Sequence, residues 1–288
     1  YVLTRQDIED RGYTQWSEIL RDLPGFDVAY IGGNVDIAAY QRGFRSSFFN
    51  RTLILINGKV LNTLWYGSAP LGPGITVANI ERIEILYGPA GAVYGPNAFL
   101  GVINIITTDG SDLKPNTYEL HSSFTAGSWN TRRFDLVGEG RIGTDVSFAI
   151  SARMNRSDGW DLDGRDNRWS WNEYLSSETI FGDVVNNANM GYDFGKYSNP
   201  EDDRMLMATV KLGNFTFEGH AYHLAASNGP QYAGDHTQGA NFWPARGSTV
   251  SIEHNGKIGD DMSIKSTFSF REDQRYGLWV DALPSWNE

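Results

Sequence analysis

The 288-residue sequence contains no cysteine. Disulfide bridges, thiolate metal sites and cysteine nucleophiles are therefore excluded. Long hydrophobic runs are also absent, since none approaches the roughly 20 apolar residues that a membrane-spanning helix needs. Basic residues are in the minority, with 24 Lys and Arg against 35 Asp and Glu and a formal net charge of −11. This balance argues against a nucleic-acid partner, because such proteins carry clustered Lys and Arg to neutralise phosphates.

Aromatic residues and glycine are plentiful instead. Aromatics make up 13% of the chain, and there are 32 glycines. The mean hydropathy of −0.40 is low. A low mean does not exclude a membrane protein, however, because the strands of a membrane β-barrel alternate apolar and polar residues and are hydrophilic on average.

The pattern of residue types along the sequence changes near residue 110. Residues 1–110 contain two short helix patterns and three β-branched runs, separated by loops rich in Gly, Pro and Asn. Thr4, with Asp7 three positions later, predicts a capping box, and Thr14 is expected to cap the second helix. This part is predicted to be a small α+β domain with long irregular loops.

Residues 111–288 show a different pattern, typical of antiparallel strands. Seven segments of about 10 residues alternate with period two, a length that suits a tilted strand across a membrane. They span residues 117–126, 131–140, 145–155, 205–213, 214–225, 248–256 and 262–272. Short and long links alternate between them. A soluble β-sandwich also alternates but has no reason to separate loop lengths by side, so the pattern favours an outer-membrane barrel.

The glycine-rich stretch from Ile85 to Thr107 lies between two strand-like runs. A P-loop requires Lys-Ser/Thr after its last glycine, whereas Gly91 is followed by Ala92 and Val93. A dinucleotide-binding loop opens a helix, whereas this chain returns to a strand. Phosphate binding is therefore disfavoured. The alternative is a set of tight turns packed against a neighbouring wall, where only small residues fit.

These residues carry a family resemblance. The segments Asn79–Pro89, Ala92–Gly95 and Gly101–Thr107 look like the plug domain of TonB-dependent outer-membrane receptors. Residues 2–8, 20–25, 41–44 and 53–58 resemble other plug elements in the expected order. The resemblance covers residues 1–108 and implies an α+β plug domain (1–110), followed by antiparallel transmembrane strands of an all-β membrane barrel (111–288). A complete barrel of this kind has about 22 strands, so only its first seven or eight are expected here.

The resemblance also implies a function. It predicts an active transporter in the outer membrane of a Gram-negative bacterium, which binds a scarce nutrient at the outer face and imports it by plug rearrangement. The nutrient would be an iron chelate such as a siderophore, cobalamin or an oligosaccharide. The expected partners are the inner-membrane TonB protein, reached through an N-terminal box that this chain does not contain, outer-membrane lipid, and the small nutrient ligand. No nucleic acid, no resident cofactor and no enzymatic activity are expected.

An alternative role is a non-transporting plug-barrel that serves as a structural or interaction module in an envelope complex. Two departures from the family pattern keep it open. Tyr87 stands where the family usually has Arg, and the bulky Phe99 lies where small residues are usual.

Two sets of plug residues follow from the resemblance. Outward plug loops are expected to touch the ligand through Arg45, Phe48, Phe49, Asn50, Trp65, Tyr66, Asn97 and Phe99, although the aromatics among them would also suit a plug–barrel interface. Contacts between plug and barrel are expected from Arg42, Arg82, Glu84, Gly88 and Gly95, where the arginines would meet wall carboxylates and the glycines would allow close packing.

The long link 156–204 is rich in acidic residues. Asp161, Asp163 and Asp166 offer oxygen ligands at alternating positions near a turn glycine, which makes them candidate Ca²⁺ ligands. The spacing is not that of an EF-hand, and a solvated acidic loop is the favoured interpretation. The five histidines form no hydrolase or zinc arrangement.

Overall fold

The computed structural model describes residues 1–30, 37–44, 49–64, 67–159, 200–225, 244–259 and 262–276. Its N-terminal domain contains β1 (Val2–Thr4), α1 (Arg5–Asp10), α2 (Trp16–Asp22), β2 (Phe26–Tyr30), β3 (Ile37–Gln41), β4 (Thr52–Ile56), β5 (Lys59–Val60), β6 (Ile80–Tyr87), α3 (Gly91–Tyr94) and β7 (Gly101–Thr107). Five of these strands form one sheet in the order β1-β6-β7-β4-β5, in which β4 and β7 are parallel. A separate hairpin pairs β2 with β3.

The first two helices begin at side-chain caps. The Thr4 hydroxyl accepts from the Asp7 backbone N–H at 3.2 Å, while the Asp7 carboxylate accepts from the Thr4 backbone N–H at 2.9 Å. The predicted capping box is therefore confirmed. The second cap lies one residue later than expected, at Gln15, because the Glu18 carboxylate reaches back to the backbone N–H groups of both Thr14 and Gln15.

The domain core continues into the rest of the chain. Buried residues of the helices and the sheet, such as Trp16, Ile54 and Ile103, belong to one hydrophobic cluster. The same cluster includes Met205 and Leu224, which lie on strands outside the domain. The N-terminal domain is thus packed directly on the sheet that follows it.

The second sheet, called the wall here, has seven strands paired in chain order, each antiparallel to the next. They are β8 (Thr117–Gly127), β9 (Thr131–Ile142), β10 (Val146–Ser157), β11 (Glu201–Leu212), β12 (Phe215–Leu224), β13 (Ala245–Ile258) and β14 (Met262–Arg275). Each predicted segment corresponds to one of these strands, with bounds that differ by a few residues. Tight turns after β9 and β11 lie at one end of the wall, where β13 also ends. β10 and β12 end at the opposite side, where the sequence has its long connections.

The two faces of the wall have opposite character. Side chains that face the N-terminal domain are polar and buried, including Asp135, Arg153 and Glu218. Side chains on the opposite face are apolar and exposed, as Phe124 (68%) and Phe268 (69%) show. A soluble sandwich has the reverse arrangement, so this inside-out polarity supports the predicted barrel wall. No helix in the described parts of the chain is long and apolar enough to cross a membrane.

Two glycines allow the wall to approach the N-terminal domain closely. A Cβ at Gly74 would lie 2.3 Å from Leu224 Cδ2 and 2.5 Å from Asp203 Cβ. A Cβ at Gly110 would lie 2.6 Å from the carbonyl oxygens of both Gly140 and Phe148. Any side chain at these positions would push the two parts of the molecule apart.

We predict that Gly74→Ala lowers the stability of the seated domain by about 1–3 kcal/mol, the usual range for overpacking. The measurement is the thermal midpoint of the full-length protein in detergent. Gly91→Ala is the matched control, because a Cβ there would meet only the Ala98 carbonyl, at 3.8 Å. Equal midpoints for the two variants would contradict the prediction.

Candidate functional site

A buried arginine of the wall holds two segments of the N-terminal domain. The Arg153 side chain, 1% exposed, donates to both carboxylate oxygens of Asp135 on the neighbouring strand, at 2.7 and 2.9 Å. Its remaining donors reach backbone carbonyls of the domain: Pro73 at 3.0 Å, Ile75 at 3.1 Å and Thr14 at 3.0 Å. One guanidinium therefore joins the loop before α2 and the segment before β6 to the wall.

The segment before β6 makes further contacts beside this pair. The Thr76 hydroxyl donates to Asp135 at 2.6 Å, and the Asn79 amide donates to the Ser151 hydroxyl at 2.8 Å. Each of these atoms is buried, so the partners satisfy polar groups that water cannot reach. Residues 73–79 are thus fixed in register against β9 and β10.

Charged contacts continue toward the end of the wall with the tight turns. Glu139 accepts from the Thr108 hydroxyl and from Arg5, the latter at 3.5 Å. Glu218 accepts from Lys59 at 3.1 Å and from Asn57 at 2.9 Å. We call the wall residues Asp135, Glu139, Arg153, Lys211 and Glu218, with their domain partners, the polar seam.

The seam contact nearest to the tight turns involves the linker between the two sheets. Lys211 Nζ lies 2.5 Å from the Asp109 carboxylate, which also accepts the Ser111 backbone N–H at 2.9 Å. Burial alone would raise the pKa of Asp109. The hydrogen bonds from Lys211 and Ser111 together outweigh burial, and the pKa lies below its ordinary value.

The predicted plug–barrel residues lie elsewhere. Arg82 donates to Glu84 at 2.8 Å, two residues along the same strand, and both side chains are substantially exposed. Arg42 is exposed in a turn with φ +52°. Among the described residues, neither arginine bonds to the wall, and Arg5 and Lys59 make the expected contacts with wall carboxylates instead. Local pairing and turn geometry hold Arg42, Arg82 and Glu84 away from the described strands of the wall, and their predicted contacts with the barrel stay a prediction.

Gly88 and Gly95 make no close contact with the described part of the wall. A Cβ at either position would meet nothing within 4 Å, so close packing does not require glycine there. Their φ values of +104° and +84° give the reason, because side chains other than glycine are strained in that region. The close approaches occur at Gly74 and Gly110, which the motif search did not select.

Tyr87, at the position where the family usually has arginine, packs its ring against apolar side chains of the plug. Its ring meets Phe26 edge-on at 6.0 Å between centroids, and it packs against the domain core.

The predicted ligand residues fall into four groups, of which Phe99 is the last. Arg45, Phe48, Trp65 and Tyr66 lie outside the described residues, as do the candidate Ca²⁺ ligands Asp161, Asp163 and Asp166. Phe49 is only 4% exposed and belongs to the hydrophobic core, so the structure places it away from a ligand surface. Asn50 and Asn97 join two loops, since the Asn97 amide donates to the Asn50 carbonyl at 2.8 Å.

Phe99 remains exposed, at 57%, and has a cationic neighbour. The Arg51 guanidinium lies 5.6 Å from the Phe99 ring centre and 5.8 Å from that of Phe44. Phe44 is itself 42% exposed. We call these three residues the Arg51 group. No sequence pattern pointed to Arg51, because its two aromatic neighbours are distant from each other along the chain.

One further cluster has metal-ligand chemistry. Ligand atoms of Glu119, His121 and Glu139 lie within 4.8 Å of one another. Glu139 already accepts from Thr108 and Arg5, so its charge is compensated within the protein. The cluster therefore does not define a metal site.

Comparison with known proteins identifies the N-terminal domain. Residues 1–102 match the family model of the TonB-dependent receptor plug domain. The N-terminal domain is therefore a plug domain, which confirms the resemblance seen in the sequence.

Solved structures of similar fold extend the match into the wall. A variant of the ferric enterobactin receptor PfeA from Pseudomonas aeruginosa aligns with a TM-score of 0.63 at 21% identity, over 95% of this chain and 41% of that one. The siderophore receptor PiuA from Acinetobacter baumannii gives 0.62 at 16%, over 95% and 36%. The ferric yersiniabactin uptake receptor FyuA from Yersinia pestis gives 0.61 at 16%, over 97% and 42%.

At these identities the likeness establishes the fold. The chain has the architecture of a TonB-dependent receptor, with a plug and the barrel strands that follow it. It spans about two fifths of the length of the receptors that it matches.

We predict that Arg153→Met destabilises the seated plug by about 3–5 kcal/mol, because it leaves Asp135 buried without a cation. The carbonyls of Pro73, Ile75 and Thr14 lose their donor as well. Hydrogen-exchange protection of residues 73–79 in the full-length protein is the measurement. Arg153→Met combined with Asp135→Leu should recover part of the loss. Arg132→Met, an exposed arginine on β9, is the control and should change little.

We also predict that the linker contact is lost in acid. Because the pKa of Asp109 is lowered in the folded protein, its contact stabilises the linker above the ordinary aspartate value of about 3.9. That stability disappears as the pH falls through the lowered pKa. Exchange protection of residues 109–113, corrected for intrinsic rates, should fall below about pH 4. Asp109→Asn should remove this pH dependence, and an unchanged profile in the variant would contradict the assignment.

Proposed function

We propose that this chain is the plug and the first barrel strands of a TonB-dependent outer-membrane transporter that takes up a scarce nutrient. A ferric chelate of the siderophore type is the leading candidate. The observation that carries the proposal is the seating of the plug through the polar seam, on the inner face of a wall whose outer face is apolar.

The chemistry of the seam suits a plug that must move. Hydrogen bonds and ion pairs contribute little net free energy when water can replace the partner, about 0.5–1.5 kcal/mol each. Contacts such as Lys59–Glu218 and Lys211–Asp109 can therefore exchange with water when a path opens. Arg153 is different, because the cation itself is buried, with 1% of its side chain exposed against 15% for Lys59 and 36% for Lys211. It would keep residues 73–76 on the wall while other contacts open.

The topology of the plug supports force-driven opening. β1 is the edge strand of the plug sheet and pairs with β6 over only three residues. An inner-membrane TonB protein that pulls on the chain before Tyr1 would load this short edge strand first. Few ladder hydrogen bonds resist such a pull, so β1 would separate before the buried strands β7 and β4.

The Arg51 group favours an anionic ligand with planar groups. A guanidinium between two partly exposed aromatic rings offers both charge and stacking surface. Arg51 also lies at the start of β4, whereas the seam holds Asn57 and Thr108 just after the ends of β4 and β7. The Arg51 group thus lies at the plug edge opposite to the one fixed near the tight turns. The related receptors carry ferric enterobactin or yersiniabactin in their names.

The function is tested by ligand binding and uptake with the full-length gene product in an outer-membrane vesicle or a deletion strain. The panel includes a ferric catecholate, a ferric chelate without aromatic groups, cobalamin and an oligosaccharide. Saturable binding of a ferric chelate and its TonB-dependent uptake are expected. Failure to bind any of these solutes would refute the proposal, and binding of cobalamin or the oligosaccharide alone would refute the siderophore assignment.

We predict that Phe99→Ala weakens binding of the ferric chelate by about 5- to 30-fold, because a stacking partner is worth about 1–2 kcal/mol. Val93→Ala is the matched control, since Val93 is an exposed apolar residue of the neighbouring α3. The measurement is an equilibrium binding titration on purified protein. Equal effects of the two substitutions would exclude a direct role for the Arg51 group.

A further inference from the structure

A second buried arginine of the wall reaches the plug beside Arg153. Arg133, 8% exposed, donates to the hydroxyl and the backbone carbonyl of Thr14, at 3.3 and 3.5 Å. Arg153 donates to the same carbonyl at 3.0 Å. The two arginines differ in their wall partners. Arg153 is paired with the Asp135 carboxylate, whereas no carboxylate of the described residues bonds to Arg133.

A buried carboxylate on the same face of the wall also has neutral partners. Asp203, 2% exposed, accepts from the Ala225 backbone N–H at 2.9 Å and from the Asn155 side-chain amide at 3.0 Å. In the part of the chain that the structure describes, no Lys or Arg bonds to it. A Cβ at Gly74 would lie 2.9 Å from its Cγ, so the plug backbone covers it. A carboxylate held away from water in this way would be stabilised by a direct cation.

Asn155 lies between these two charges. Arg133, Asn155 and Asp203 are paired in register on β9, β10 and β11. The Asn155 side-chain oxygen accepts from Arg133 Nε at 3.2 Å. Its nitrogen donates to Asp203 at 3.0 Å and to Glu201 at 2.8 Å. The side chain is 1% exposed, so one buried amide both connects the cation to the carboxylates and keeps them apart.

The spacing of the row allows the charges to meet directly when the amide is not between them. One strand separates Arg133 from Asp203, so their Cα atoms lie about 10 Å apart. An arginine side chain spans such a distance, and its pairing with a carboxylate is stronger than a hydrogen bond to a neutral acceptor. Arg133 thus has two sets of acceptors within reach: neutral oxygens of Thr14 on the plug, and carboxylates on the wall.

We propose that Arg133 is an exchangeable contact of the seated plug and that Asn155 is its positioning residue. While the loop before α2 is seated, Asn155 holds Arg133 on Thr14 and keeps it from Glu201 and Asp203. When this loop leaves the wall, Arg133 turns to the two carboxylates, and the released state gains an ion pair. The proposal rests on the plug movement given under the proposed function.

The test is hydrogen exchange at residues 13–18 of the full-length protein in detergent, without ligand. Asn155→Leu keeps a similar side-chain volume and removes the bridge. Protection of these residues should fall about fivefold or more, because Arg133 then leaves the loop for the carboxylates. Adding Glu201→Gln and Asp203→Asn should restore protection to within about twofold of the wild type. A merely structural role of Asn155 predicts no such recovery, since the two additions remove further polar contacts.

A second comparison keeps Asn155, so it does not depend on how Asn155→Leu folds. Glu201→Gln with Asp203→Asn should raise protection of residues 13–18 about threefold or more, because the released state loses its ion pair. Arg133→Gln should abolish that gain, since the carboxylates then have no arginine to accept. A gain that persists after Arg133→Gln would overturn the proposal, because it would report only the cost of burying the carboxylates.

The matched control is Asp202→Asn with Glu272→Gln, which removes the same charge from the opposite face of the wall. It should change protection less than about twofold. A gain equal to that of the inner-face pair, or no recovery in the triple variant, would overturn the exchange. Chelate binding by the same preparations separates this result from the proposed function. A wild type that fails to bind chelate but shows the exchange pattern refutes only the proposed function, and binding without the pattern refutes only the role of Arg133.

Discussion

The buried Arg153–Asp135 pair is the interaction on which the relative position of plug and wall depends. Two opposite charges removed from water are costly unless every polar atom around them has a partner. Here the partners are carbonyls of two separate plug segments and the Thr76 hydroxyl, so the pair is satisfied only when the plug is seated. The ion pair therefore does more for specificity than for stability. A hydrophobic contact of the same area would hold the plug as well but would tolerate many registers.

The residue pattern of the wall follows from a simpler constraint. One face of the sheet packs against the plug, and the other face is exposed and apolar. Period-two alternation puts apolar side chains on one face and polar side chains on the other. The polar face receives the plug through Glu139, Glu218 and Lys211 near the tight turns. The opposite end adds apolar contacts from Met205 and Leu224. The plug is thus held by contacts that water can replace at one end and by hydrophobic packing at the other, a gradient suited to partial release.

The glycine-rich stretch between Ile85 and Thr107 illustrates how far sequence reasoning extends. Its strand ends and its plug-domain motif were confirmed, and the structure adds the short helix α3 between the two strands. At Gly88 and Gly95 the backbone angles require glycine, and a Cβ there would meet nothing within 4 Å in the described structure. A sequence shows where glycine occurs, but a positive φ and close packing both require glycine, so the sequence does not distinguish them. Only coordinates separate the two causes.

The sequence by itself determined the local features: the capping box at Thr4, the seven strands of the wall, their order and the side on which each connection lies. These depend on hydrophobic period and turn residues, which act over a few positions. The tertiary structure alone decided that Arg5 and Lys59, rather than Arg42 and Arg82, meet the wall carboxylates. It also placed Arg51 within cation–π distance of both Phe44 and Phe99. Such pairings join residues far apart in the chain, and their choice depends on strand register and on the seating of one sheet against another.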